Sequence, residues 1–89
     1  MIVRYFAFIR DYTGSKEISI ESSPTLRELL DKLCSRYGMR FREKLLVGDR
    51  LSEDIIIMVN GRHIEHLEGL STHLKDNDEI SIFPRVAGG

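Results

Sequence analysis

Glu79-Ile80-Ser81-Ile82-Phe83-Pro84-Arg85-Val86-Ala87-Gly88-Gly89 closes the chain, and the rest of the sequence is read outward from it. Apolar and polar residues alternate from Glu79 to Phe83, the period of a strand. Pro84 has no N–H to give a ladder, so the backbone is expected to leave the sheet there. Two glycines follow with no Cβ to widen or stiffen the end. The stretch therefore reads as a rigid strand that holds out a thin tail with a free α-carboxylate. That carboxylate, on Gly89, is the candidate working group. We divide the chain into a domain over 1–84 and a flexible reactive tail over 85–89.

The size and composition suit one ordinary folded domain. The 89 residues are 42% apolar, and 13 basic side chains nearly balance 14 acidic ones, unlike a disordered chain. A formal charge of -1 gives no electrostatic footprint for nucleic acid or an anionic membrane. No apolar run reaches the ~20 residues of a membrane span, and the first residues read as a strand, not a signal peptide. Cys34 is the lone cysteine. It lies on an apolar stripe, which excludes an internal disulfide framework and suggests a reducing, cytoplasmic setting. His63, His66 and His73 lack a ligand spacing, so no metal site is assigned.

Upstream, Ile2 to Arg10 is dense in β-branched and aromatic residues and reads as a central strand. Asp11-Tyr12-Thr13-Gly14 reads as a turn. Lys16 to Glu21 alternates as an edge strand, completing an antiparallel hairpin. Thr25 with Glu28 fits a capping box, with Ser23 before Pro24 as an alternative start. Leu26, Leu29, Leu30, Leu33, Cys34 and Tyr37 then form one helical stripe that Gly38 ends. From Met39 to Asp54 the pattern is mixed; Phe41, Leu45, Leu46 and Leu51 suit a short helix or a turn-rich crossing. Ile55-Ile56-Ile57-Met58-Val59 is a continuous apolar strand. Asn60-Gly61 turns it back into Arg62-His63-Ile64. The result is α+β: one main helix on a mixed sheet of four or five strands, with the last strand beside the first.

These residues carry a resemblance across nearly the whole chain. Val3-Arg4-Tyr5-Phe6-Ala7-Phe8-Ile9-Arg10, Val59-Asn60-Gly61 and Leu74 to Gly89 resemble the small-subunit sulfur carriers of molybdopterin synthase, in the ubiquitin-like β-grasp superfamily. The resemblance implies a chain that is not catalytic alone and binds no cofactor. An E1-like enzyme would use ATP to adenylate Gly89. The acyl group would become a thiocarboxylate and deliver sulfur inside the synthase large subunit. Gly88 would pass the partner's narrow channel. Phe6 and Phe83 match an apolar docking patch, and Pro84, Val86 and Ala87 belong to the docking segment. Two positions depart from the family pattern: Arg85 stands where a second proline is common, and His63 where an apolar residue is usual. Archaeal relatives of this size include modifiers that join their terminal glycine to lysines of target proteins. That is the alternative function; Lys32, Lys44 and Lys75 could accept conjugates in such a system, though ordinary surface lysines look no different. A third alternative is a β-grasp binding module with no tail chemistry.

Overall fold

A computed structural model of the chain describes residues 1–85. The first strand, β1, spans Ile2–Tyr5 and pairs antiparallel with β2, Glu17–Ser19. The main helix α2 runs Leu26–Tyr37, and a shorter helix α3 follows over Met39–Leu45. Strands β3 (Leu46–Val47) and β4 (Arg50–Leu51) form a small separate hairpin. Strand β5 (Ile55–Val59) turns into β6 (Arg62–His63), two single 3-10 turns follow, and β7 (Glu79–Pro84) completes the fold. The five-stranded sheet has the order β2-β1-β7-β5-β6. The pairing of β1 with β7 is parallel and the other pairings are antiparallel. The α+β β-grasp expectation therefore holds, and β7 lies at the centre of the sheet.

Local signals account for most elements. Thr25 is the N-cap of α2, and its side chain accepts the Glu28 N–H at 3.3 Å. Ser23, the alternative start, is buried, and its Oγ has no partner among the described residues. Leu26, Leu29, Leu30, Leu33 and Cys34 bury the predicted stripe against the sheet. The mixed stretch after Gly38 contributes Phe41, Leu45 and Leu46 to the same core. Asn60 and Gly61 take positive φ of 52° and 81°, as a two-residue hairpin turn requires. Asn60 Nδ2 donates to Asp78 Oδ1 at 2.8 Å, and Asn60 Oδ1 accepts the Glu79 N–H at 2.9 Å. One turn side chain thus ties the end of β5 to the start of β7.

Two expectations need correction. The strand predicted over Ile2 to Arg10 stops at Tyr5. Ala7 turns the backbone at φ 52°, and Ile9–Thr13 forms a helical turn, α1, closed by Gly14 at φ 73°. Hence Asp11 to Thr13, predicted to turn, are helical. The cause lies in the partner strand. Phe6 N–H donates to Ile82 O at 3.1 Å. The next parallel bond would need a donor on Pro84, which has none. The Phe6 carbonyl accepts the Ile9 N–H instead, and the helical turn begins.

The second correction concerns Pro84 itself. The backbone does not leave the sheet there: Pro84 pairs with Ile55, and Arg85 N–H donates to Asp54 O at 2.7 Å. Asn60 N–H donates to Glu79 O in the same ladder. Antiparallel pairs alternate between bonded and non-bonded, so this register makes Ile55–Pro84 a non-bonded pair. The missing proline donor costs nothing on the β5 side.

Candidate docking face and tail root

The helices cover one face of the sheet and leave the other open. Val3, Tyr5, Ile55, Ile57, Val59, Ile80 and Ile82 point to the covered side and are buried. Their neighbours alternate outward. Register puts Glu17, Arg4, Ser81, Met58 and His63 in one row across the open face. The next row, nearer the C-terminus of β7, holds Phe6, Phe83 and Ile56.

The two rows differ in chemistry. Arg4 sits between Glu17 at 3.6 Å and Glu79 at 3.2 Å. These are exposed pairs of small energetic weight. The row toward the tail is apolar. Phe6 and Phe83 meet edge to face with ring centroids 5.5 Å apart, and Phe6 is 37% exposed. Arg10 holds its guanidinium 5.8 Å from the Phe6 centroid while Nε donates to Tyr5 O at 2.8 Å. Ile56, Met58 and Phe83 are half-buried. An aromatic pair flanked by aliphatic side chains on an uncovered sheet is a docking surface in composition.

His63 borders this patch on β6. Its Nδ1 accepts the Glu65 N–H at 3.1 Å and starts the first 3-10 turn; the ring lies 6.2 Å from that of His66. It also lines an open groove of about 620 Å³ with Glu53, Asp54, Ile64, Leu70 and Arg85. Arg85 is held at the edge of that groove. Its Nε donates to Glu53 O at 2.8 Å, besides the backbone bond to Asp54 O.

The structure therefore brings Phe6, Phe83 and Arg85 to one end of the open face with His63 at its border, whereas Pro84, predicted to belong with them, pairs with Ile55 and falls on the covered side. Val86, Ala87, Gly88 and Gly89 lie outside the described residues. Sequence reasoning missed Ile56 and Met58. The signal was present: β5 is apolar at every position, which implies cover on both faces, yet the described residues supply one layer of helices. Among the described residues, no group of three or more His, Cys, Asp or Glu side chains is placed to hold a metal ion, and no helix is long and apolar enough to cross a membrane.

The titratable groups that shift most are structural. Burial pushes the Tyr5 hydroxyl far up, and its hydrogen bond with Tyr37 Oη at 3.0 Å adds to the effect. Burial likewise raises the Cys34 thiol above its ordinary value. A raised, buried thiol is a poor nucleophile, which suits a packing role on α2.

With the central strand, the open apolar face and the tail root in place, comparison with known proteins decides the family. The family model described as "ThiS family" matches residues 3–89. This chain belongs to the ThiS family. Among curated ThiS-like relatives, Small archaeal modifier protein 3 of Haloferax volcanii is 34% identical over 98% of this chain and 96% of its own length. A putative sulfur carrier protein of Archaeoglobus fulgidus is 43% identical over 85% of each chain. Among solved structures, the Amycolatopsis orientalis BexX/CysO complex contains a chain with TM-score 0.86 and 29% identity, covering 99% of this chain and 98% of that one. Small archaeal modifier protein 1 of Methanosarcina acetivorans gives TM-score 0.84 and 37% identity, covering 99% and 94%.

These findings correct the expected function. The end-to-end similarity is to archaeal modifiers and to CysO-type sulfur carriers. The small-subunit role in molybdopterin synthase is overturned; for partners, the CysO complex supports binding to a protein in general and does not name the synthase large subunit. The wider membership in a β-grasp sulfur-carrier and ubiquitin-like superfamily stands. The physical reason for the error is plain. Strand, proline, tail and two glycines serve any carrier that offers its terminal carbonyl, whatever the acceptor.

Proposed function

We propose that this chain is a ubiquitin-like modifier and sulfur carrier that works through the carboxylate of Gly89. An E1-like partner would use ATP to convert the carboxylate to an acyl adenylate, releasing pyrophosphate. A lysine amine of a target protein would then attack the carbonyl carbon, expel AMP and lose a proton, leaving an isopeptide bond. Sulfide attacking the same carbon instead, with AMP expelled and a proton lost, would give a thiocarboxylate. The domain supplies no step of this chemistry. Its contribution is to present the carbonyl and to dock both partners on Phe6, Ile56, Met58 and Phe83, with His63 and Arg85 at the rim.

The observation that supports the reading is a family match that extends to residue 89, alongside modifiers of matching length and a sulfur carrier matched over 85% of each chain. The BexX/CysO complex supports a protein partner for a carrier of this shape. Glycine at the last two positions suits a narrow passage, since a Cβ adds width at the point of closest approach.

Mass spectrometry tests both branches in cells that make the protein. Trypsin cuts after Arg85, so an acceptor lysine would keep a Val-Ala-Gly-Gly remnant. Intact mass after incubation with ATP, the activating enzyme and a sulfide donor would show oxygen replaced by sulfur at the terminus. Gly89→Ala is expected to lose most of either product while the fold is unchanged. Normal product yield from that variant, or neither product from the native chain, would overturn the proposal.

A further inference from the structure

We propose that Arg85 is a positioning residue: it clamps the root of the tail to the β4–β5 turn and sets the direction in which the terminal carboxylate is offered. The inference deepens the reading above and rests on it for its catalytic consequence, though not for its structural part.

Two donors of one residue make the clamp. The Arg85 backbone N–H reaches Asp54 O at 2.7 Å, and its Nε–H reaches Glu53 O at 2.8 Å. The acceptors are themselves braced. Asp54 N–H donates to Ser52 Oγ at 3.2 Å, and Ile55 N–H donates to Ser52 O at 3.1 Å. Ser52 N–H donates to Leu45 O at 2.8 Å, and Leu45 is in the core. A continuous chain of hydrogen bonds thus runs from the buried end of α3, through the turn, to the last described residue.

The site of the clamp is informative. Glu53 and Asp54 are exposed residues and the Nε bond lies in an exposed setting, so burial does not force an arginine there. The ladder needs only the backbone N–H of residue 85. The guanidinium adds a second, off-ladder bond that restricts rotation about the backbone at the last described residue. Four residues follow, Val86 to Gly89, with a greatest reach of ~14 Å. Fixing their origin limits the volume that the carboxylate searches. A partner that needs the carbonyl at one point then has less ordering to impose on binding. The effect belongs in KM for the carrier, since the reacting atoms are untouched.

The tests separate the clamp from simple stability and from direct contact with the partner. Arg85→Ala removes the Nε bond and keeps the backbone one; Arg85→Gly removes it and also frees the backbone torsions. In the free full-length protein, 15N relaxation of the Val86 amide is expected to report larger fast motion in Arg85→Ala, and larger still in Arg85→Gly. Arg85→Lys, which keeps a donor, recovers part of the loss. In ATP–pyrophosphate exchange with the activating enzyme, KM for the carrier rises about threefold in Arg85→Ala and more in Arg85→Gly, with kcat held.

Ser52→Ala removes the brace without touching the tail. It is expected to move both readouts the same way by a smaller factor. Unchanged relaxation in Arg85→Ala and Arg85→Gly would overturn the clamp. So would a KM effect in Arg85→Ala with none in Ser52→Ala, since that pattern marks an arginine read directly by the partner. If no enzyme activates the native chain, the proposed function fails, and the relaxation measurement still decides whether the clamp exists.

Discussion

Ile56 and Ile57 are adjacent in β5, have the same side chain and occupy opposite surroundings. Ile57 is 0% exposed among the residues beneath α2; Ile56 stands half-buried on the open face beside Phe83. The covered face is apolar because the fold requires it. The open face is apolar near the tail although no helix among the described residues covers it. The two faces therefore divide the labour: one holds the domain together, and the other is suited to a second protein. Under the proposed function, the carboxylate needs a body that stays rigid while another molecule occupies its free side.

The sharpest way to break that comparison is to truncate the pair one residue at a time. Ile57→Ala should cost about 2–5 kcal/mol in urea denaturation, because the cavity it leaves is enclosed. Ile56→Ala should cost less than about 1.5 kcal/mol, since water reaches the same site. Equal losses would show that the open face is part of the core.

Next in size is the docking effect. Phe83→Ala should weaken binding of the activating enzyme about tenfold or more, as an aromatic anchor at an interface centre does. The unfolding midpoint should move far less than in Ile57→Ala. A titration followed by calorimetry measures the first and urea denaturation the second. Undiminished binding would remove the patch from the docking surface.

A smaller effect separates the faces by pH. On the covered side, burial raises Cys34 above its ordinary value of 9.0, and burial with the Tyr37 bond raises Tyr5 above 10.0. Both groups keep their protons longer when folded. Their contribution is complete below the unfolded values and is lost as pH climbs past them. Stability should therefore decline on the alkaline side, beginning near 9.0, and Tyr5→Phe should flatten the upper part of that decline. The smallest effect is expected on the charged row of the open face. Arg4→Gln should change stability by less than ~1 kcal/mol, and less still in high salt, because its pairs with Glu17 and Glu79 are exposed.

Legibility followed the range of the interactions. Thr25 and Glu28 mark the start of α2, the Leu26-to-Tyr37 stripe marks its buried side, and Asn60-Gly61 marks the β5–β6 turn. Each depends on residues a few positions apart, so the order of letters is enough to see it. The α+β class and the central place of the last strand followed from counting such elements. The tail with its paired glycines was visible for the same reason, and so was the class of chemistry it suits. The acceptor was not, because a terminal carbonyl looks the same whichever molecule receives it.

Contacts between distant residues decided the rest. Phe6, Phe83 and Ile56 meet only because β7 inserts between β1 and β5. The strand from Ile2 ends at Tyr5 because Pro84, far along the chain, has no donor for the Phe6 carbonyl. Arg85 became a tail anchor through Glu53 and Asp54, whose carbonyls no side-chain pattern advertises. Local preference in the sequence determined the elements and the thin end. Strand neighbours and backbone hydrogen bonds decided which apolar side stayed bare and where the tail is held, because those bonds exist only once the sheet has formed.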